Sequence, residues 1–275
     1  METLLGYTLY SDTLENCIDS ILGQIKHIRR SNATTLIEPL SARPTESEIC
    51  QYAACLNPHS YCEAQNNPDF HLALLGSKWL LPDGAGIILA SRALGGSIHK
   101  RITGSDLFTG ICQKTNSLGG YRVFLLGSSK ETLDRICARM AIDYPEINIV
   151  GTHSPPYSAK FSDAEIDLMV NLVNDAAPDI LWVAMTAPKQ EKWIFETQRR
   201  LNVPFAGAVG AVFDFYSGSI VRPGPLFQNL GLEWFPRLLQ EPKRLYKRMA
   251  VSAPVFLGAV LKEWWVKKFT SARRC

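Results

Sequence analysis

A doubly wound, Rossmann-like α/β fold, with a mostly parallel sheet covered by helices on both faces, is the architecture this sequence predicts. Three observations point to it. Apolar strand-like runs begin near residues 121, 147, 179 and 204 with one amphipathic stretch in each gap, a pattern that demands right-handed crossovers. No Gly-, Ser- or Pro-rich linker divides the chain, so one continuous sheet is expected rather than two independent domains. At 275 residues, 46% hydrophobic and 20% charged, the composition is that of an ordinary globular chain, which excludes a disordered tail, collagen and a polytopic membrane protein.

In chain order, QYAACL (51–56) reads as a strand, roughly 60 to 75 as a helix and KWLL (78–81) as a strand. Helices follow over GIILASRAL (86–94) and DLFTGICQKTN (106–116). The second half is more regular. YRVFLL, INIV, DILWVAM and PFAGAVG are the strands, and the helices between them start at Ser128 or Ser129, at Ser162 ahead of Glu165, and near Pro188 as a first-turn proline. Strand patterns stop after Ser217. From Pro225 to Phe269 the text is helical, broken at Pro236, Pro242 and Pro254. The expected division is an α/β core over 1–224, with a sub-domain seam near 118, and a helical appendage over 225–275.

Charge is uneven. From Arg237 onward ten Lys and Arg face two acidic residues, whereas the preceding 236 residues hold 19 basic and 24 acidic. A basic end on an acidic body predicts an anionic ligand or surface there. The stretch VSAPVFLGAVL is too short to span a bilayer, and it leads into Lys262, Trp264, Trp265, Lys267 and Lys268, a mixture suited to a headgroup layer. An anionic membrane surface is therefore expected, and nucleic acid is not, because no helix-turn-helix, RNP or zinc-finger pattern accompanies the charge. Glu2, Asp12 and Glu15 stand where a signal peptide carries Lys or Arg, so export by that route is not expected. Seven cysteines without a C-x-x-C pair predict a reducing, cytoplasmic compartment. The sequence leaves a homo-oligomer open.

In an open parallel sheet, ligands sit beyond the carboxyl ends of the strands. The segments at those ends are Asn57-Pro58-His59-Ser60, Pro82-Asp83-Gly84-Ala85-Gly86, Gly127-Ser128-Ser129, Thr186 to Glu191, and Gly210 to Asp214. Small residues at helix N-termini make a phosphate or diphosphate cradle, and a nucleotide ligand follows. Neither G-x-G-x-x-G nor G-x-x-x-x-G-K-[ST] is present, which lowers hydride transfer and ATP hydrolysis. With no Asp-x-Asp to hold a divalent ion, neither a metal nor another cofactor is expected, and Arg101, Lys189 and Arg222 become the candidate phosphate partners.

Six segments in order, LLPDGAGIILASR, KRITGSDLF, VFLLGSS, VAMTAPKQEKW, GAVGAVFDFYSGSIVRPGP and GLEWFPRLLQEPKRLYKR, resemble the bacterial WecG/TagA/CpsF glycosyltransferases, glycosyltransferase family 26, over roughly residues 55 to 248. The resemblance implies transfer of a sugar, N-acetylmannosamine, its uronic acid or glucose, from a UDP-sugar to a polyprenyl-diphosphate-linked saccharide at the cytoplasmic membrane face, in cell-surface polysaccharide synthesis. It also implies that Asp83 of the P-D-G motif is the general base, inverting and metal-free, and that Asn57, Arg101 and Gln190 contact substrate. Gly127 and Asp214 are further candidate nucleotide contacts. Arg222 is a further candidate for the donor phosphates at the rim, and the resemblance implies that Arg237, Arg244 and Arg248 belong to a region that closes over the site and holds the acceptor's diphosphate. Where many members have Thr, this chain has Cys55.

Plainer readings stand beside these. Asp83 fits an Asp-Gly turn, Asp214 a helix or turn cap, Asp106 and Glu191 first-turn helix charges, and Lys189 a solvated surface residue. Cys50, Cys55, His59 and Cys62 match no zinc knuckle, and His153 reads as a surface loop imidazole. A non-catalytic nucleotide-binding protein and an NAD-type oxidoreductase are the competing functions.

Overall fold

Residues 1–34, 49–158, 160–220 and 242–272 are described by a computed structural model, without the side chains of 31–34, 242–250 and 270–272. Two short strands, β1 (Glu2–Leu4) and β2 (Tyr7–Leu9), pair antiparallel through a two-residue turn in which Leu5 and Gly6 both take positive φ. Helix α1 (Leu14–Thr34) follows. Sequence reading assigned neither: three-residue strands leave little periodic signal, whereas α1 buries Cys17, Ile18, Ile21, Leu22, Ile25 and Ile28 at helical spacing, a stripe that was the available signal.

From Gln51 the alternation is as expected: β3 (Gln51–Leu56), α2 (Pro58–Asn66), α3 (Pro68–Leu75), β4 (Trp79–Pro82), α4 (Ala85–Ala93), α5 (Gly104–Leu118) and β5 (Tyr121–Gly127). Next come α6 (Lys130–Asp143), β6 (Ile147–His153), α7 (Asp163–Ala176), β7 (Ile180–Ala184), α8 (Lys189–Thr197), β8 (Phe205–Ala208), α9 (Val212–Tyr216) and α10 (Pro242–Ala272). The single helix expected over 60 to 75 is two. Asn67 ends α2 and its side chain accepts the Phe70 N–H to start α3, since Pro68 cannot continue the first helix.

β3 to β8 form one sheet in the order β4-β3-β8-β7-β5-β6, parallel at every pairing. Alternate residues face opposite cores, as the two-residue period of a strand requires. Val123 and Leu125 of β5, with Ile180 and Trp182 of β7, pack under α1, α5 and α6; Phe124, Leu126, Leu181 and Val183 pack under α2, α3, α7, α8 and α10. Both faces are covered, which explains why these strands read as continuous apolar runs. Strands from before and after residue 118 share this sheet through the pairing of β3 with β8, and α5 ends at Leu118 with Gly119 as its cap.

Three local expectations change. Pro254 lies inside α10 rather than ending a helix. Pro188 is the cap residue of α8, not a first-turn residue. His153 is the last residue of β6, half-buried, and burial lowers its pKa.

Helix α10 lies along α2. Ser252, Phe256 and Val260 recur every four residues as its buried stripe. Phe256 meets the Tyr61 ring edge-on at 5.5 Å, the Ser252 carbonyl accepts from Cys62 Sγ at 3.2 Å, and Ser252 Oγ lies 3.0 Å from His59 Nδ1. At its far end Glu263 Oε2 accepts the Leu5 N–H at 3.0 Å, tying the helix to the β1–β2 turn.

Candidate active site at the carboxyl ends of the strands

The paired ends of β3 and β4 place Asn57 and Asp83 side by side. Leu56 is in register with Pro82, and the Asp83 N–H donates to the Leu56 carbonyl at 2.9 Å, carrying the ladder one residue past the strands. Gly84 then turns the chain with φ +87, and a β-carbon there would lie 3.8 Å from both Asn57 Cβ and Pro58 Cδ. A β-carbon on Gly86, in the first turn of α4, would come closer still, 2.5 Å from Pro58 Cγ. The P-D-G-A-G segment is therefore glycine-rich because the Asn57-Pro58 corner presses against it.

Asn57 has a structural duty. Its side-chain oxygen accepts the His59 and Ser60 N–H groups at 3.0 and 2.9 Å, and Ser60 Oγ accepts the Asn57 N–H at 2.8 Å, a capping box that opens α2. Arg101 is half-buried and precedes Ile102, whose N–H donates to the Pro82 carbonyl at 2.9 Å, which brings the backbone of this segment beside the end of β4. Thr103 and Asp106 form the capping box of α5, the first-turn role expected of Asp106.

Gly127 and Ser128 both have positive φ at the end of β5, and the Ser128 N–H donates to the Ala184 carbonyl at 2.9 Å. Ser129 Oγ caps α6 through the Thr132 N–H at 3.2 Å. On the neighbouring strand ends, Gln190 Oε1 accepts the N–H groups of Met185 at 3.2 Å and Gly210 at 2.9 Å, bridging the segments that leave β7 and β8. Asp214 is half-buried in the first turn of α9, where its carbonyl accepts from Ile220 N–H and Ser217 Oγ, both at 3.1 Å.

Cys55 shows how near these groups are to one another. Burial pushes its thiol well up, the charges of Asp83, Glu191 and Asp106 push it further, and only the Gly104 N–H opposes them. Thus the end of β4, α5 and α8 each bring a carboxyl group toward the Cys55 thiol of β3 behind the rim. The sequence singled out Cys55 only as a departure from the family pattern.

Glu191 is a correction. Read as a first-turn helix charge, it is 3% exposed, and burial raises its pKa to about 7. Its position three residues before Ile194, on the stripe of Gln190, Ile194 and Thr197, was the available signal. Lys189 is also engaged rather than purely solvated: its ammonium donates to the Ser158 carbonyl and lies 4.2 Å from the Phe161 ring centroid.

Arg222 and Arg237 lie outside the described residues, as do the side chains of Arg244 and Arg248, whose backbone belongs to the first turns of α10. His59 and Cys62 face Ser252, and among the described residues no group of three or more His, Cys, Asp or Glu is placed to hold a metal ion.

The model of the glycosyl transferase WecG/TagA/CpsF family matches residues 20–270. An N-acetylglucosaminyldiphosphoundecaprenol N-acetyl-beta-D-mannosaminyltransferase of Bacillus subtilis (strain 168) is 31% identical over 244 residues, spanning 86% of this chain and 90% of that protein. The protein of the same name from Bacillus spizizenii (strain ATCC 23059 / NRRL B-14472 / W23) is 30% identical over 84% of this chain and 87% of its own length. That of Staphylococcus aureus (strain MW2) is 25% identical over 94% and 91%.

Proposed function

Since the chain belongs to the WecG/TagA/CpsF family of glycosyl transferases, we propose that it moves a sugar from a UDP-sugar to a polyprenyl-diphosphate-linked saccharide during synthesis of a cell-surface polysaccharide. The relatives' names favour N-acetylmannosamine over its uronic acid or glucose as the sugar, and an N-acetylglucosaminyl diphospholipid as the acceptor.

The observation that carries the site is the pairing of Asp83 with the Asn57-Pro58 corner at the carboxyl ends of adjacent parallel strands, with α2 and α4 starting there. An acceptor hydroxyl over Asp83 gives up its proton to the carboxylate as the oxygen attacks the anomeric carbon, and UDP leaves from the opposite face, inverting the centre. Helix N-termini, the Gly127 turn, Arg101 and Arg222 offset the diphosphate charge, and Asn57, Gln190 and Asp214 border the nucleotide. The absence of Asp-x-Asp supports a metal-free course. Residues 1–224, with their seam near 118, are the catalytic core, and 225–275 deliver the lipid acceptor, with Arg237, Arg244 and Arg248 on its diphosphate.

No described helix is long and apolar enough to cross a membrane. Leu257, Leu261, Trp265 and Phe269 are exposed on α10 beside Lys262, Lys267 and Lys268, which supports peripheral attachment to the inner face of the plasma membrane. The test is UDP release from UDP-N-acetylmannosamine with an N-acetylglucosaminyl-diphospho-polyprenyl acceptor in EDTA. Absolute dependence on Mg²⁺ or Mn²⁺ would remove the metal-free course, and no turnover with any UDP-sugar and lipid acceptor would remove the reading.

A further inference from the structure

Glu191 sits behind the rim with an unusual set of neighbours. Its Oε1 accepts from Gln190 Nε2 at 2.8 Å, while Oε2 is fully enclosed and has no hydrogen-bond partner. The bond to Oε1 matters for Gln190. A carboxamide can be turned over, exchanging oxygen and nitrogen, and here its oxygen must meet two backbone donors, Met185 N–H and Gly210 N–H. An acceptor behind Nε2 selects that orientation, because the flipped amide would set N–H against N–H on one side and oxygen against oxygen on the other.

The surroundings oppose a charge on this carboxyl group. β3 offers Tyr52 and Cys55, both neutral, and beyond Cys55 stand Asp83 and Asp106, both acidic. β7 and β8 carry no titratable side chain. On α3, which packs against α8, His71 is bonded to the Tyr7 hydroxyl at 2.7 Å and Asp69 pairs with Lys192 at 3.0 Å. Lys189, the other cation at the start of α8, is turned to Ser158 and Phe161. Among the described residues no cation faces this group, and a carboxylate enclosed with hydrogen bonds only from Gln190 Nε2 and its own backbone N–H is costly, so burial favours the protonated form.

We infer that Glu191 is a positioning residue that works as a neutral carboxyl group, fixing the Gln190 carboxamide across the ends of β7 and β8 without adding charge to an anion-binding rim. Ionisation would keep the bond to Nε2 but add a negative charge to the acidic groups around Cys55, Asp83 among them, behind the site that receives the donor diphosphate, and donor binding would weaken. A pKa raised to about 7 by burial brings this change into the working pH range. The part concerning the donor rests on the proposed transfer; the clamp itself does not.

The experiment compares the parent with Glu191→Gln and Glu191→Leu, reading UDP affinity by calorimetry and kcat and KM by UDP release between pH 6 and 9, and stability by urea unfolding. Glu191→Gln is a neutral acceptor of the same shape. It should stay within about threefold of the parent at pH 6.5 and lose the parent's decline in UDP affinity, about tenfold, through pH 7 to 8.5. Glu191→Leu removes the acceptor and should lower UDP affinity about tenfold or more at every pH, whereas a mere filler of space would show no such pH-independent loss. A parental pH profile in Glu191→Gln, an inactive Glu191→Gln, or parental binding in Glu191→Leu would overturn the inference. If none of the three binds UDP, the proposed function fails instead, and unfolding still decides. With unfolding read from pH 4 to 9, the parent should lose stability relative to Glu191→Gln between about pH 4.5 and 7, where the folded carboxyl group still holds a proton that the unfolded one has released, and the difference should be level above 7; a difference independent of pH over that whole range overturns the neutral carboxyl group.

Discussion

Gly127 approaches Ala184 so closely that a β-carbon on it would meet the Ala184 carbonyl oxygen, backbone against backbone. The strand ends of β5 and β7 are held at that distance by the bond from Ser128 N–H to the same oxygen, 2.9 Å. Gly127 also has φ +110, a region L-residues rarely enter. Two independent costs then fall on one substitution. Gly127→Ala should destabilise the fold by on the order of 3 kcal/mol and disturb the turn that faces the donor. Urea unfolding checks the first effect and UDP titration the second; an alanine variant of parental stability would show that the strand ends can part.

Asp83 has a kinetic prediction. If it takes the acceptor proton, Asp83→Asn keeps the shape of the turn after β4 and the backbone bond to Leu56, retains UDP affinity, and lowers kcat by about 10² to 10⁴. A variant that instead lost stability with near-parental kcat would leave Asp83 a turn residue.

The doubly wound core was legible because β5, β7 and β8 are buried on both faces and the helices after β5 and β6 are capped by Ser129 and Ser162, so period and punctuation agree, and the edge strand β6 follows from its place between those two helices. The hairpin β1–β2 was not, since its meaning is tertiary: Tyr7 is buried against Tyr61 of α2 and His71 of α3, while the apolar stripe of α1 was present in the sequence and passed over. Asp83 and Asn57 could be picked out as strand-end residues, but that Asn57 already caps α2, and that Asp83 lies against its corner, requires the register of β3 with β4. Glu191 was misjudged for a similar reason. A first-turn glutamate is ordinarily solvated, and only the packing of α8 against the sheet encloses this one.

Glu2 shows the opposite pH behaviour. Burial pushes its carboxyl pKa up, but hydrogen bonds from Ser91 Oγ at 2.6 Å, Ser97 N–H and Oγ at 2.5 and 3.0 Å, and Ile98 N–H at 3.1 Å outweigh it, so the pKa is lowered. A depressed carboxyl stabilises the fold above its ordinary range, and that contribution disappears as pH falls through the lowered value. Glu2→Gln should therefore cost about 1 kcal/mol at pH 7, with the difference shrinking below about pH 4. Unfolding measured across pH 3 to 7 checks it; a gap that widens in acid would reverse the sign.

Arg244 and Arg248 are four residues apart on the backbone of α10, a spacing that sets both positions on one face of a helix. If together they hold the acceptor's diphosphate, Arg244→Ala with Arg248→Ala should cripple transfer while unfolding and UDP binding stay parental. Transfer at the parental rate would remove them from the acceptor site.

The exposed side of α10 supplies the membrane prediction. Trp265 and Phe269 stack at 5.1 Å with their planes 7° apart, and they are 53% and 56% exposed, too much apolar surface to leave in water without a use. Lys268 reaches over the Trp264 ring at 4.7 Å, and Lys267 pairs with Glu263 at 3.2 Å, so the basic groups stand beside the aromatic ones rather than opposite them. A helix of this kind lies in the interface, where each buried aromatic contributes about 2 kcal/mol and each Lys near an anionic surface about 1 kcal/mol. Trp265→Ser with Phe269→Ser should reduce co-sedimentation with anionic vesicles about tenfold or more, and the parent's binding should weaken with added salt. Folding should be unaffected, because the buried stripe of Ser252, Phe256 and Val260 that seats α10 on α2 is untouched. If the double variant sediments with vesicles as the parent does, this face does not bind membrane, and lipid-linked acceptor must reach Asp83 by another surface.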